Sequence, residues 1–189
     1  VNFVALLVKL VYRKLHVSLF CIFARWFKFS NIVVKWGVLR SKVYKLNSGV
    51  RQGGVLSPRL FTVYVNDMLL KLQNCGLGCP VRGMSCGCLM HADDLILLSA
   101  SFTHLQKLVS IAVEELALIG LHVNAKKSSF MRIGRKPKFP CVKIIINGLP
   151  IDKSSCVSCL GIGFNAGCKL TFNLDISKLK FYSATNAIL

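Results

Sequence analysis

The sequence predicts an α+β fold in which helices pack against a small antiparallel sheet. Three stretches carry apolar residues at helical spacing: residues 3–28, 58–72 and 103–119. Residues 88–98 contain two apolar runs on either side of a short polar centre, which is typical of a β-hairpin. Because 53% of the 189 residues are hydrophobic, the chain can build a packed core. Helices combined with short antiparallel strands define the α+β class.

The first part of the chain is expected to begin with one long helix. Apolar and basic residues interleave over 3–28 at roughly helical spacing. Two short strands are predicted at 32–34 and 43–46, separated by the region of Gly37. A glycine-rich loop follows over 47–54.

The helix over 58–72 has a recognisable start. We expect Ser57 to be its N-cap and Pro58 to lie in its first turn, where the missing N–H costs nothing. Its apolar face comprises Leu60, Phe61, Tyr64, Val65, Met68 and Leu69. Asp67 lies on the same helix among apolar neighbours, and we expect it to have a structural or helix-surface role.

The second part of the chain predicts further short elements. In order, they are a helix over 103–119 closed by Gly120, strands near 128–133 and 141–146, a hairpin turn at Asn147-Gly148, a short strand over 159–164 and an amphipathic tail from Leu174.

The charge is strongly one-sided. Twenty-five Lys and Arg stand against seven acidic residues, a formal net charge of +18. Eleven basic residues run from Lys9 to Arg59, and no acidic residue precedes Asp67. Such a field attracts nucleic-acid backbone or an anionic membrane surface. No membrane span is predicted. The longest uncharged run in the first 29 residues is 15–24, which is far shorter than the ~20 residues that a spanning helix needs. A basic amphipathic helix lying on a membrane stays an alternative.

Seven of the nine cysteines form two loose groups. These groups are Cys75, Cys79, Cys86 and Cys88, and Cys156, Cys159 and Cys168. Neither shows two clean pairs at zinc-ligand spacing, so we predict structural core cysteines and no zinc. No secretory signal is present, and we expect reduced thiols in an intracellular protein, in the cytoplasm, the nucleus or both.

Asp93 and Asp94 are the first candidates for chemistry. Adjacent carboxylates repel each other, and a bound divalent cation is the usual compensation. Mg²⁺ takes oxygen ligands and keeps coordination positions for phosphate, as nucleotidyl transfer requires. The alternative is an ordinary exposed Asp-Asp turn. Upstream, the loop around Arg51 and Gln52 could bring backbone and donors to a nucleotide, or it could be a plain loop-to-helix junction.

Four motifs in order resemble those of reverse transcriptases. Arg51-Gln-Gly-Gly-Val-Leu-Ser-Pro58 resembles the motif that contacts template and incoming nucleotide, and Met90-His-Ala-Asp-Asp94 resembles the catalytic Tyr-Ala-Asp-Asp box. Gly120-Leu-His-Val-Asn-Ala-Lys-Lys-Ser128 is similar to the next motif, and Cys159-Leu-Gly-Ile-Gly-Phe164 looks like the hairpin that grips the primer. The amino-acid sequence of Gly49–Pro58 is similar to that of the same motif in non-LTR (LINE-type) retrotransposons.

The resemblance implies a polymerase palm. It implies part of the fingers at 1–48, a palm core at 49–165 and the start of a thumb-like helical region at 166–189. It also implies RNA-directed DNA synthesis by a two-metal mechanism with Mg²⁺, or alternatively Mn²⁺, on an RNA template, a DNA primer and dNTPs. The implied roles are catalysis and metal binding for Asp93 and Asp94; nucleotide or template binding for Arg51, Gln52, Gly53, Ser57, Pro58, Lys126 and Lys127; and a primer-grip-like role for Leu160 and Gly161.

Two departures from the family pattern stand out. Family members carry a third metal-binding Asp upstream of the glycine-rich motif, whereas no acidic residue precedes Asp67 here. His91 occupies the position of the usual Tyr. Together with Val1 in place of an initiator Met, these departures lead us to expect a truncated or degraded copy. The alternative function is a catalytically inactive remnant that still binds nucleic acid.

Overall fold

A computed structural model describes residues 1–135 and 143–188 as helices with small, mostly two-stranded sheets. The helices are α1 (Phe3–Tyr12), α2 (Val17–Lys28), α3 (Ser57–Asn74), α4 (Phe102–Leu118) and α5 (Asp175–Asn186), with a 3₁₀ helix at Ala125–Lys127. Helices combined with small antiparallel sheets agree with the predicted α+β class.

Most strand pairs are hairpins between neighbours in the sequence. The strands are β1 (Asn31–Ile32), β2 (Lys35–Trp36), β3 (Leu39–Arg40), β4 (Tyr44–Lys45), β5 (Cys79–Val81), β6 (Met84–Cys86), β7 (Cys88–His91), β8 (Asp94–Leu97), β9 (Ser129–Phe130), β10 (Ile145–Ile146), β11 (Leu149–Pro150), β12 (Asp152–Lys153), β13 (Cys156–Cys159), β14 (Ile162–Asn165) and β15 (Thr171–Asn173). Among the described strands, β9 and β12 form the one parallel pair, and β13, β14 and β15 form a three-stranded sheet.

The single helix predicted over 3–28 is wrong, because the chain turns between α1 and α2. Lys14 has a φ of +57°, in the left-handed region. The Lys14 N–H donates to the Val11 carbonyl at 2.8 Å, and the Leu15 N–H donates to the Leu10 carbonyl at 3.2 Å. This is the Schellman arrangement that satisfies the last carbonyls of a helix. The turn folds α2 back, so that Phe27 stacks on Phe3 with 4.6 Å between ring centroids.

The two central helices lie within a residue or two of the predicted bounds. The N-cap prediction for Ser57 is wrong, because Leu56 is the capping residue and Ser57 is already helical. The Ser57 hydroxyl instead donates to the Arg51 carbonyl at 2.6 Å. Gly120, with a φ of +71°, closes α4 as predicted. The N–H of Leu121 donates to the carbonyl of Leu116 in the same Schellman arrangement.

Several strand predictions need correction. The predicted strands at 32–34 and 43–46 are shorter and pair as β1 and β4, and an unpredicted hairpin, β2–β3, lies between them. The single strand predicted over 159–164 is wrong, because Leu160 and Gly161 both have positive φ and form the turn between β13 and β14. The predicted turn at Asn147-Gly148 is confirmed between β10 and β11. Residues 141 and 142 of the predicted strand lie outside the described residues.

Helix α3 lies at the centre of the main core. Its buried side chains pack with residues of α1 and α4 and with the start of β7. The α3 residues in this core are Leu60, Tyr64, Val65, Met68 and Leu72. A second, smaller core forms between α4 and the strands near Ile144, and it includes Val109 and Phe130. No described helix is long and apolar enough to cross a membrane.

Polar side chains also tie α3 to its neighbours. The fully buried Tyr64 hydroxyl donates to the Ile119 carbonyl just after α4, and it accepts the Asn2 N–H at 3.2 Å. Asp67 forms an ion pair with Lys9 of α1, with 2.5 Å between Oδ2 and Nζ. Asp67 is therefore placed as a helix-surface residue, in agreement with its predicted structural role.

Replacement of Tyr64 by Phe should destabilise the protein without changing the fold. The substitution keeps the ring and removes the hydroxyl, which leaves the Ile119 carbonyl without this donor. We expect the free energy of unfolding to fall by about 1–3 kcal/mol, measured by chemical denaturation. Tyr12→Phe is the matched control, because Tyr12 is 83% exposed. Equal denaturation midpoints for Tyr64→Phe and Tyr12→Phe would contradict this role.

Candidate active site

The two acidic candidates lie at the tip of the β7–β8 hairpin, which confirms the hairpin predicted over 88–98. His91 pairs with Asp94 across the strands, and Ala92 and Asp93 form the two-residue turn. Asp93 and Asp94 are both exposed. The hairpin therefore presents two adjacent carboxylates to solvent.

The turn that carries this pair is held in an uncommon backbone conformation. Ala92 has a φ of +50°. A positive φ raises the free energy of the folded state for a residue with a Cβ atom, except for Asn and Asp, which tolerate it. Non-glycine residues in such conformations persist where the surrounding structure determines them, and they cluster at functional sites.

The base of the hairpin is anchored in the core. The Cys88 side chain is buried beside α3, and burial raises the pKa of its thiol. The Leu98 N–H donates to the Gly87 carbonyl at 2.9 Å. A side chain on Gly78 would lie 2.4 Å from the Gly87 Cα atom, so the two backbones meet where only glycine fits. Because the base of the hairpin is anchored, the two carboxylates at its exposed tip are held in a defined position relative to the core.

The cysteines follow the core prediction only in part. Cys88 is buried, and Cys75, Cys79, Cys86 and Cys159 are half-buried. The prediction is wrong for Cys156, on the edge strand β13, and for Cys168, between β14 and β15, because both are exposed. In the described part of the chain, no three His, Cys, Asp or Glu side chains are grouped so as to hold a metal ion.

The glycine-rich loop is braced around the carbonyl of Arg51. This oxygen accepts the Gly54 N–H at 3.1 Å and the Ser57 hydroxyl at 2.6 Å. The Arg51 guanidinium lies 5.7 Å from the ring centroid of Trp26, which is cation–π distance. Trp26 is a contact that sequence reasoning missed, since nothing in the motif points to a residue 25 positions upstream of Arg51.

Three of the four remaining loop candidates are also exposed, and Ser57 is half-buried. Gln52, Gly53 and Pro58 lie at the surface beside Arg51, and Trp26, Leu46 and Ser57 line a small cleft with it. Backbone N–H groups and a guanidinium at the mouth of a cleft can bind phosphate or a nucleotide edge.

The downstream candidates belong to two separate turns. Asn124 caps the 3₁₀ helix, because its side-chain oxygen accepts the N–H groups of Lys126 at 3.1 Å and Lys127 at 3.3 Å. Both lysine side chains are exposed. At the other turn, the Ser177 hydroxyl of α5 donates to the Gly161 carbonyl at 2.6 Å.

The structure brings some predicted site residues together and leaves others apart. Arg51 and Ser57 are in direct contact. Within residues 1–135 and 143–188, no hydrogen bond or ion pair connects Asp93 or Asp94 to the other candidates, which are Arg51, Gln52, Gly53, Ser57, Pro58, Lys126, Lys127, Leu160 and Gly161. A ligand that contacts several of these groups would have to bridge them.

The donor set at the hairpin tip fits one hard divalent cation. Adjacent carboxylates supply the oxygen ligands that Mg²⁺ prefers, and Mg²⁺ is commonly bound by one or two carboxylates plus water and substrate phosphates. The third carboxylate of a two-metal clamp is not supplied by Asp67, because its carboxylate forms an ion pair with Lys9 of α1.

The chain belongs to the reverse transcriptase (RNA-dependent DNA polymerase) family, which matches residues 9–164. It is 31% identical over 133 residues to the Retrovirus-related Pol polyprotein from type-2 retrotransposable element R2DM of Drosophila melanogaster, covering 66% of this chain. It is 34% identical over 84 residues, or 44% of this chain, to the corresponding polyprotein from type-1 retrotransposable element R2 of Popillia japonica. Each match covers 12% of the relative's length.

These similarities confirm the identification as a non-LTR retrotransposon reverse transcriptase domain. Members of the family bind nucleic-acid template, primer and nucleotides, and they use divalent metal ions. The hairpin with Asp93 and Asp94 and the loop with Arg51 both lie inside the matched residues.

Glycine at position 92 should stabilise the hairpin turn. Glycine adopts a positive φ without steric cost, so Ala92→Gly should raise the free energy of unfolding by about 1 kcal/mol in chemical denaturation. Ala100→Gly is the control, because Ala100 is also exposed but has no positive φ. We expect that control to be neutral or slightly destabilised. If both variants lost the same stability, the turn would carry no strain.

Proposed function

We propose that this chain carries the palm-type catalytic core of a retrotransposon reverse transcriptase, with the palm at 49–165. Residues 1–48 would contribute part of the fingers, and 166–189 would begin the thumb. The observation that carries the proposal is the pair Asp93–Asp94, exposed at the tip of a hairpin whose base is anchored in the core. An anchored pair of carboxylates is what a phosphoryl-transfer metal needs.

The proposed reaction adds a nucleotide to a DNA primer paired with an RNA template. The primer 3′-hydroxyl attacks the α-phosphorus of a dNTP, a new phosphodiester bond forms, and pyrophosphate leaves. Mg²⁺, or Mn²⁺ in its place, would neutralise the charge that develops on the phosphate oxygens. Asp93 and Asp94 would hold the cation near the reacting groups.

Residues of the glycine-rich loop would position the nucleotide and the template. Arg51 is held over Trp26 with an exposed guanidinium, which can donate to phosphate or to a base edge. Gln52 and Gly53 would approach the nucleotide from the same loop. Ser57 would act through the Arg51 carbonyl, to which its hydroxyl donates, and Pro58 would set the start of α3.

The downstream residues would act on the nucleic-acid backbone. Lys126 and Lys127 are exposed next to the Asn124 cap, so their ammonium groups can reach phosphate. Leu160 and Gly161 form the β13–β14 turn, which Ser177 ties to α5. We propose that this turn contacts the primer.

A second candidate is nucleic-acid binding without synthesis. The one-sided charge favours it, because a strongly basic protein binds nucleic-acid backbone whether or not a nucleotide is transferred. The net charge of +18 would be kept in such a protein. Binding would then weaken steeply as salt is raised.

Primer extension on an RNA template, with Mg²⁺ or Mn²⁺, separates the two candidates. If the chain is a polymerase, Asp93→Asn with Asp94→Asn should lower nucleotide incorporation by at least ~10²-fold, since the cation loses both carboxylates. Glu114→Gln is the matched control, an exposed acid on α4 that should leave incorporation unchanged.

Template binding by the same proteins is measured alongside. Salt-dependent binding with no incorporation by the unmodified chain would favour the second candidate. Incorporation that survives the double Asp→Asn change would contradict the assignment of the metal site.

A further inference from the structure

Residues 31–45 form a two-stranded arm that extends from the core. Strands β1 and β4 pair at its base, and β2 and β3 pair nearer its tip at Gly37-Val38. Between these pairs the Ser41 N–H donates to the Val34 carbonyl and the Val34 N–H donates to the Ser41 hydroxyl, both at 2.9 Å. Backbone pairing thus runs along the arm, which we call the basic arm.

The side chains of the basic arm are almost all exposed. Every residue from 31 to 40 and from 42 to 45 is exposed, and only Ser41 is half-buried. Trp36 is 83% exposed and Val38 is 96% exposed. A Trp this exposed contributes little to the core. It indicates an interaction surface more strongly than a single exposed aliphatic residue does.

The positive charge of the basic arm favours an anionic partner. It carries four cations and no acid; the cations are Lys35, Arg40, Lys42 and Lys45. None of them forms an ion pair with a described acidic side chain, since the described ion pairs join Lys9 to Asp67 and Lys71 to Glu115. The four charges are therefore available to phosphates.

The strand register fixes the faces of the arm on which the aromatic ring and the two cations of β2 and β3 lie. Lys35 pairs with Arg40, and Trp36 pairs with Leu39, so the two pairs occupy opposite faces of a ribbon only two strands wide. Long Lys and Arg side chains can reach around the edge of such a ribbon. An exposed ring and cations on one narrow ribbon are a combination that binds single strands, because bases stack on the ring while phosphates meet the charges.

We propose that the basic arm is an accessory binding site for single-stranded nucleic acid, with a base stacked on Trp36 and phosphates held by Lys35 and Arg40. The base of the arm leads towards the Arg51 cleft. The Leu46 N–H donates to the Ser30 carbonyl at 2.9 Å, and both residues line that cleft. A strand bound along the arm is thereby directed to the loop that carries Arg51. The proposal does not depend on the proposed function, since no step needs Asp93 or Asp94.

Fluorescence anisotropy with the full chain and 5′-labelled single strands of about 16 nucleotides tests the site, with RNA and DNA in separate titrations. Trp36→Ala should weaken binding by about 5- to 100-fold, the effect of losing one stacked base. Lys35→Gln with Arg40→Gln should also lower the salt dependence, by about 0.7 in the log–log slope for each lost phosphate contact. Tyr12→Ala and Lys107→Gln are matched controls on α1 and α4, and they should bind as the unmodified chain does.

A fluorescence measurement tests stacking directly. The chain has two tryptophans, so Trp26→Phe leaves Trp36 as the one indole emitter. Single strands should quench this emission, and whichever of RNA and DNA quenches at lower concentration identifies the preferred strand. The proposal is overturned if Trp36→Ala binds within twofold of the unmodified chain. It is also overturned if anionic phosphatidylserine vesicles, but no oligonucleotide, alter the Trp36 emission.

Discussion

The packing of α3 is the constraint on which the rest of the structure depends. Tyr64 of this helix is fully buried, and its hydroxyl joins the backbone before α1 to the backbone after α4. The same helix packs against β7, so the position of the hairpin follows from the position of α3. The glycine-rich loop enters α3 at its first residue, through the Ser57 hydroxyl on the Arg51 carbonyl. One helix thus orients both the carboxylate-bearing hairpin and the loop proposed to bind nucleotide.

The contrast between the buried base and the exposed tip of the hairpin bears on its chemistry. Two adjacent carboxylates in water interact weakly, because the high dielectric constant screens them, whereas the same pair in the core would cost several kcal/mol or more. Exposure of Asp93 and Asp94 therefore lets the fold form without a cation. In the proposed reaction, a cation would then bind and leave with substrate phosphates, as a catalytic Mg²⁺ site requires.

Local signals in the sequence were sufficient for some elements and insufficient for others. The turn at Asn147-Gly148 and the Gly120 cap were predictable, because residue type alone fixes a positive φ there. The break at Lys14 was not, since a Lys in the left-handed region is set by the packing of Phe27 on Phe3 rather than by its own preference. Trp26 beneath Arg51 and the donation from Ser57 to Arg51 were also missed, because both are tertiary contacts that leave no periodic pattern. The Asp93–Asp94 pair was singled out because its two adjacent charges needed an explanation, and its catalytic role stays a prediction.

Binding of a divalent cation at the hairpin tip is best tested by nuclear magnetic resonance of the full chain titrated with Mn²⁺. Paramagnetic broadening should start at the amide signals of Ala92, Asp93 and Asp94, and excess Mg²⁺ should reverse it, because both ions take the same carboxylate oxygens. This readout needs no template, primer or turnover. Broadening centred on another acid, such as Asp152 or Glu114, with the hairpin tip unaffected, would contradict the assignment of the metal site to Asp93 and Asp94.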